Sequence, residues 1–219
     1  MKLSQYLDLL QRNNNRPWFA ENKALFDDVR QRWYEDLDRM IALVGLWEPR
    51  VASVSAKDAS YRIYRDTRFS LDKTPYKTYF SAILSPRGKR LKAADYYIHA
   101  GAPGAESLTA GGYWAGDSSA LQKLRHAIVD NIEEFRAIIE SPELSGLYPR
   151  WYGPRLKSAP KGWPRNHPEI ELLRLQVIGR EHMLPGDFFD DTSWPEKAAD
   201  LLRPLKPLID FINYSLLDE

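Results

Sequence analysis

The residues best suited to chemistry in this chain are the lysines and arginines between Tyr61 and Lys92. Nine cationic side chains lie in this segment with only two acids, Asp66 and Asp72, although the formal net charge of the whole chain is only +1. Six aromatic side chains are interleaved with them, which indicates a folded surface rather than a disordered basic tail. Guanidinium groups bind phosphates and carboxylates through paired hydrogen bonds, and ammonium groups bind them as point charges. The segment therefore predicts an anion-binding site.

The leading hypothesis places this site in the basic and aromatic turn of residues 62–77. Its ligand-binding residues are predicted to be Arg65, Arg68, Lys73, Tyr76, Lys77 and His167. The alternative is structural, because Asp66 and Asp72 can pair with the same cations and fix a long hairpin turn that ends at Pro75. The residues leave open whether the protein is an enzyme, and they predict no catalytic residue, cofactor or metal.

A second basic segment, residues 150–165, holds five cations and no acid, with Trp151, Tyr152 and Trp163 among them. Together with residues 62–92 it could bind single-stranded nucleic acid, through stacking on the rings and neutralisation of the phosphates. The structural alternative is a strap whose tryptophans anchor it in the core. A third function class is a structural interaction domain. The near-neutral total charge argues against an indiscriminate coat for nucleic acid or membranes.

Other familiar catalytic patterns are weak or missing. The glycine-bearing turn of residues 111–119 could receive an anion at a helix start, but Asp117 indicates an ordinary capped turn. The four histidines lack the helical spacing of a zinc pair, and the absence of cysteine excludes disulfides and thiolate chemistry. A cluster of three acids could suit a hard cation, although a solvated loop is the simpler interpretation. These acids are Asp187, Asp190 and Asp191.

The elements that must position these residues follow from hydrophobic periodicity. Apolar steps of three and four predict a short helix over Leu3 to Arg12 and a longer helix from Pro17 to about Gly45. Extended, aromatic-rich runs separated by Gly, Pro and Asp then predict a meander of about four strands. These strands are predicted at Tyr61–Arg65, Lys77–Leu84, Asp95–His99 and Ser107–Trp114.

The last hundred residues are predicted to be mainly helical. Helices are expected at 120–129, 131–139 and 169–175, with a further strand at 176–181. The spacing of Ser193 and Glu196 predicts a capping box before a helical tail, which Pro204 and Pro207 should split. Five prolines between residues 148 and 168 predict an ordered loop or arm instead of a central strand.

The resulting fold class is α+β, with a mostly antiparallel sheet of four or five strands, a long N-terminal helix and several C-terminal helices. A single domain over residues 1–219 is expected: helical at 1–47, sheet-forming at 51–114, and helical and proline-rich at 115–219. The longest apolar run, residues 40–47, is well short of the roughly 18 residues that span a bilayer. We therefore expect a soluble cytoplasmic protein without a membrane partner.

Three short runs resemble one known family. They are the R-D-T-R-F-S-L-D-K-T-P-Y-K run of residues 65–77, the G-G-Y-W run of residues 111–114, and P-K-G-W at 160–163 with His167-Pro168. This pattern is similar to domain of unknown function 2461, and the likeness covers nearly the entire chain. The resemblance implies a full-length, single-domain protein of bacterial type. It implies no activity, cofactor or catalytic residue.

Overall fold

The computed structural model describes residues 1–86, 93–114 and 117–217, and it confirms the predicted α+β fold. The helices are α1 Leu3–Arg12, α2 Arg16–Glu21, α3 Lys23–Gly45, α4 Ala56–Ala59, α5 Ser118–Asp130, α6 Ile132–Ile139, α7 Pro142–Leu147, α8 Ile170–Leu173, α9 Trp194–Leu202 and α10 Lys206–Leu217. The strands are β1 Tyr79–Leu84, β2 Asp95–Gly101, β3 Ser107–Tyr113, β4 Arg150–Trp151 and β5 Ile178–Leu184. Short 3₁₀ turns cover Pro49–Val51, Phe188–Asp190 and Arg203–Leu205.

The five strands form one antiparallel sheet in the order β1-β2-β3-β5-β4. The first three are sequential neighbours, as the predicted meander requires. The sheet extends beyond residues 61–114, because β4 and β5 come from the later part of the chain. Strand β5 overlaps the further strand predicted at 176–181, whereas β4 lies in the segment predicted to be a loop or arm. The edge strand β4 pairs Arg150 with Glu181 and Trp151 with Arg180.

The predicted long helix from Pro17 to Gly45 is in fact two helices. Asn22 separates α2 from α3, and its side-chain amide donates to the Trp18 carbonyl at 2.9 Å, which closes the end of α2. Asparagine competes in this way for backbone groups and so interrupts a helix whose apolar period continues. The predicted end at Gly45 is confirmed.

The predicted strand at Tyr61–Arg65 is also wrong. Residues 61–77 form an irregular hairpin, which we call the basic hairpin, and its arms make only the isolated bridge between Tyr64 and Tyr76. The Arg65 N–H donates to the Pro75 carbonyl at 2.9 Å. Proline has no N–H group to donate back, so a regular ladder cannot continue through this pair.

The capping box predicted at Ser193 does not form. The Ser193 hydroxyl donates to Asp191 instead, so α9 begins without a side-chain cap. The predicted split of the tail is confirmed, because a 3₁₀ turn with Pro204 at its centre separates α9 from α10.

The chain divides into two compact units, each with its own buried core. The described residues of the first unit are 1–86, 97–109 and 183–203. Its centre is Trp33 of α3, which stacks on Trp194 of α9 at 5.4 Å and contacts Phe80 and Phe189. Helix α3 therefore holds β1 and α9 together.

The second unit comprises the remaining described residues. Helix α10 packs on α5 and α6, where Phe211 and Phe135 lie 5.0 Å apart. The single-domain organisation expected from the sequence stays a prediction. Among the described residues, no helix is both long enough and apolar enough to cross a membrane.

Candidate functional site

The acids of the basic hairpin pair with its arginines. The guanidinium group of Arg65 donates to the Asp72 carboxylate. The Arg68 Nη2 atom lies 2.7 Å from the Asp66 carboxylate. These two ion pairs are the ones that the structural alternative predicted from the sequence. They neutralise much of the positive charge of the hairpin.

Hydrogen bonds keep both of these carboxylates ionised. Those from the side chain and the backbone N–H of Arg68 lower the pKa of Asp66 to about 2. Those from the Thr74 backbone and from Arg65 lower the pKa of Asp72 to about 2. Donors that favour the charged form of an acid shift its pKa downwards. The hairpin therefore keeps its ion pairs at neutral pH.

A cleft of about 560 Å³ opens beside the basic hairpin, within the first unit. We call it the Arg16 cleft. Its lining residues are Arg16, Phe19, Ala20, Lys23, Tyr64, Arg65, Thr67, Pro75 and Tyr76. The cleft thus combines three cations with three aromatic rings.

The chain around α2 positions one wall of this cleft. The Asn15 side chain caps α2 by accepting a hydrogen bond from the Trp18 N–H at 3.0 Å, which places Arg16 in the first turn. The Asn14 side chain binds the backbone of Tyr76 twice, donating to its carbonyl at 2.9 Å and accepting from its N–H at 3.1 Å. Helix α2 is thereby tied to the basic hairpin.

The cations of the cleft differ in how far they are neutralised. Lys23 pairs with Asp27 at 2.5 Å. Arg16 is exposed, and its side chain makes no ion pair or hydrogen bond with any residue that the structure describes. In the same described part, the hydrogen bonds of Arg65 all use its Nη1 atom. Because a guanidinium group has five N–H donors, the Nε and Nη2 donors of Arg65 are left without a partner among the described residues.

The rings of the cleft form a rigid floor with one open face. Phe19 and Tyr76 are buried and stack with their centroids 4.0 Å apart and their planes at 15°. The Tyr64 ring lies 5.5 Å from Tyr76 and remains 50% exposed. A half-exposed ring held against a buried stack offers a surface for a further planar group.

The remaining cations of the predicted set do not line the cleft. Arg68 is bound to its acid, and the Lys73 ammonium donates to the Thr67 carbonyl at 2.9 Å. Lys77 lies between the rings of Tyr61 and Tyr79, 5.3 and 5.5 Å from their centroids. The structure therefore brings Arg65 and Tyr76 of the predicted set to one cleft.

His167, the last residue of the predicted set, belongs to the second unit. Its Nδ1 atom accepts the Glu169 N–H at 3.0 Å, and its ring contacts Trp163 edge-on. The anion contacts proposed for it and for the hairpin cations stay predictions. Four further cations of the basic segment, Arg87, Lys89, Arg90 and Lys92, lie outside the described residues.

His99, one of the four histidines without a recognisable spacing in the sequence, makes specific ring contacts in the first unit. His99 of β2 stacks on Tyr79 of β1 at 4.3 Å, and its Nδ1 atom lies 3.0 Å from the Tyr97 hydroxyl. Burial, and then the positive charge of Lys77, lower the pKa of His99 to about 4. The imidazole is therefore neutral at pH 7.

Acidification should consequently destabilise the protein through His99. Between the unfolded pKa of about 6.5 and the folded value of about 4, the unfolded chain binds more protons, so the free energy of unfolding falls as the pH falls. Because the imidazole is only partly shielded, we expect a loss of about 2 kcal/mol across this window. Denaturant unfolding measured at pH 7, 5.5 and 4 checks it.

His99→Asn should remove this part of the pH dependence. His126, an exposed imidazole on α5, provides the matched control, and His126→Asn should keep the wild-type slope. A wild-type slope in the His99 variant would contradict the expectation.

In the second basic segment, the rings of Trp151 and Trp163 contact other residues of the second unit. The guanidinium group of Arg180 lies 3.9 Å from the centroid of the Trp151 ring, and Trp163 contacts two imidazole rings. Arg155 pairs with Glu171 at 3.0 Å. These contacts are the ones expected of the strap alternative.

The glycine-bearing turn before α5 has the predicted cap. The Asp117 carboxylate accepts the Ser119 N–H at 2.9 Å. Residues 115 and 116 of this turn lie outside the described residues.

Two acids of the predicted C-terminal cluster have structural partners. Asp190 accepts the Ser4 N–H at 3.0 Å, and Asp191 binds Ser193 and Lys197. Within residues 1–86, 93–114 and 117–217, no three histidine or acidic side chains group as metal ligands do.

Comparison with known proteins gives one match. The model of a family described as "Conserved hypothetical protein (DUF2461)" matches residues 2–211. The chain belongs to this family. The resemblance found in the sequence is thereby confirmed. No curated protein and no solved structure matched the chain.

Membership of the DUF2461 family implies no activity. Sequence reasoning missed Arg16, Phe19 and Lys23, because they lie on helices about 45 residues before the basic turn and no periodic pattern links the two. The contact between Tyr97 and His99 could have been predicted from the sequence. Tyr97 and His99 are two residues apart on a predicted strand, which places them on the same face of the sheet.

Proposed function

We propose that the protein binds a small phosphate- or carboxylate-bearing ligand in the Arg16 cleft. The observation that carries the proposal is that Arg16, whose side chain has no described partner, lines the same cleft as Arg65, whose described side-chain hydrogen bonds use Nη1 alone. Lys23 adds a third positive charge, which Asp27 partly neutralises. Two guanidinium groups suit the planar, bidentate geometry of phosphate and carboxylate oxygens.

The proposal narrows the set of residues expected from the sequence. It keeps Arg65 and Tyr76 and adds Arg16 and Lys23, whereas Arg68 and Lys73 serve to hold the basic hairpin in shape. We further propose that the protein is bacterial and cytoplasmic. Organic phosphates and carboxylates are abundant in that compartment.

Removal of the Arg16 side chain tests the proposal. Calorimetric titration with inorganic phosphate, pyrophosphate and citrate should show saturable binding to the wild-type protein. We expect Arg16→Ala to weaken it about tenfold or more, because a charge-assisted hydrogen bond contributes about 1.5–3 kcal/mol. Arg16→Lys should retain part of the affinity.

Arg12 provides the matched control, since it is an equally charged and exposed side chain on α1 that does not line the cleft. Arg12→Ala should bind all three anions as the wild type does. The proposal fails if the wild-type protein binds none of them, or if the Arg12 and Arg16 variants behave alike.

The other two function classes make different predictions for the same protein. A nucleic-acid-binding module would bind longer single strands more tightly and lose affinity steeply with salt. An interaction domain would bind no anion, and the exposed tip of the basic hairpin favours this class as the second candidate. Phe69 and Leu71 at this tip are 94% and 103% exposed. Apolar side chains exposed in this way commonly contact another protein.

A further inference from the structure

We infer that the ligand of the Arg16 cleft carries a planar aromatic ring beside its anionic group, as a nucleoside monophosphate does. The inference rests on the proposed function and specifies its ligand class. It comes from the rings of the cleft, whereas the proposal of an anion came from the cations.

Tyr64 is the ring available for stacking. Phe19 and Tyr76 are 4% and 5% exposed, and each uses one face against the other at 4.0 Å. Tyr64 is tilted by 53° to Tyr76 and by 59° to Phe19, and it remains half-exposed at the cleft. The Tyr64 ring is therefore in contact with protein on one side, while half of the residue remains exposed to solvent.

The backbone holds Tyr64 in this position. It is bridged to Tyr76 across the basic hairpin, and on either side the Arg65 N–H binds Pro75 and the Lys77 N–H binds the Ile63 carbonyl, at 2.9 and 2.8 Å. With its backbone held and its ring in contact with Phe19 and Tyr76, Tyr64 has less conformational freedom to lose on stacking, so more of the stacking energy appears as affinity.

The size and the charge of the cleft fit the same ligand class. A volume of about 560 Å³ lies within the range of small-molecule pockets, and a bare phosphate ion would fill only a small part of it. Arg16 and Arg65 line the same cleft as the ring of Tyr64. A ligand that stacks on Tyr64 can therefore place its anionic group near a guanidinium group without leaving the cleft.

Stacking of a base on an aromatic side chain typically raises affinity by about five- to a hundredfold, with little dependence on the base. The ligand class is thus predicted to be tolerant of base identity. It should still distinguish a nucleotide from the same sugar phosphate without its base.

The test compares adenosine 5′-monophosphate with ribose 5-phosphate, by calorimetric titration of the full chain. Wild-type protein should bind the nucleotide about tenfold more tightly. Tyr64→Ala should bind both compounds with the affinity that the wild type has for ribose 5-phosphate. Tyr64→Phe keeps the ring and should keep the preference. Tyr214→Ala, which truncates a 75% exposed tyrosine on α10, is the matched control and should change neither affinity.

The outcomes separate the two proposals. Equal wild-type affinity for the nucleotide and the sugar phosphate, or an unchanged preference in Tyr64→Ala, overturns the ring inference and leaves anion binding intact. If neither compound binds, the ring inference is overturned, whereas anion binding is decided by the titrations with inorganic phosphate, pyrophosphate and citrate. Circular dichroism of the Tyr64 variants should match that of the wild type, because the truncated ring is half-exposed.

Discussion

Replacement of Gly112 by alanine is expected to destabilise the protein by about 4 kcal/mol. Gly112 lies in β3 with φ at +143°, a conformation that residues with a side chain rarely adopt. A Cβ atom added there would lie 2.3 Å from the Ile178 carbonyl oxygen and 2.4 Å from the Gly179 Cα atom. Both contacts are with the backbone of β5, which cannot turn aside as a side chain can. Backbone strain and overpacking each contribute about 1–3 kcal/mol.

Gly146 supplies the control for this substitution. It lies in α7, and no heavy atom lies within 4 Å of the Cβ that alanine would add. Gly146→Ala should therefore be neutral or stabilise the protein by about 0.5–1 kcal/mol, since alanine has the higher helix propensity. Urea unfolding followed by circular dichroism compares the two variants. Equal stabilities would show that β3 and β5 do not approach as closely as described.

The contact at Gly112 also illustrates what the sequence could not reveal. Periodicity located the ends of β1, β2 and β3 to within two residues, because each is a local run of aromatic and branched side chains joined by short turns. The second neighbour of β3 in the sheet is β5, which begins about 65 residues later. Glycines that allow two backbones to approach closely do not identify the partner strand, so the strand order could not be predicted from the sequence.

The candidate site likewise combines a local part, which the sequence could predict, with a long-range part, which it could not. The basic run of residues 65–77 is a local feature, and the structural alternative drawn from the sequence predicted the ion pairs of Asp66 and Asp72. The wall of the cleft on α2 depends on two side-chain hydrogen bonds between Asn14 and the backbone of Tyr76. Asparagine is common in turns for purely local reasons, so its long-range role was not predictable from residue type or spacing.

The second large effect is expected at Arg180, which is charged and only 6% exposed. Its Nη1 atom donates to the carbonyls of Tyr148 and Pro149 at 3.1 and 3.0 Å, and its guanidinium group lies on the Trp151 ring. Burial, and then the charge of Arg155, lower the pKa of Arg180 to about 10. The side chain therefore remains protonated at neutral pH and binds the proline-rich segment to β5.

Arg180→Ala is expected to lower the free energy of unfolding by about 3–4 kcal/mol. The variant loses two charge-assisted hydrogen bonds and the contact with the ring. This loss outweighs the desolvation cost that is saved when a charge without an acid partner in the described part of the chain is no longer buried. Arg180→Lys should lose about 2 kcal/mol, because a compact ammonium group cannot cover the ring and reach both carbonyls. Urea unfolding measures both values.

Arg155→Ala is the matched control for this series. Arg155 lies on the same proline-rich segment, but its ion pair with Glu171 is exposed, so its removal should change the free energy of unfolding by less than about 1 kcal/mol. Similar losses in the Arg155 and Arg180 variants would mean that exposed charges hold the segment. A loss at Arg180 alone supports the strap, since buried anchors that hold a segment to its own unit are not available to stack or pair with nucleic acid.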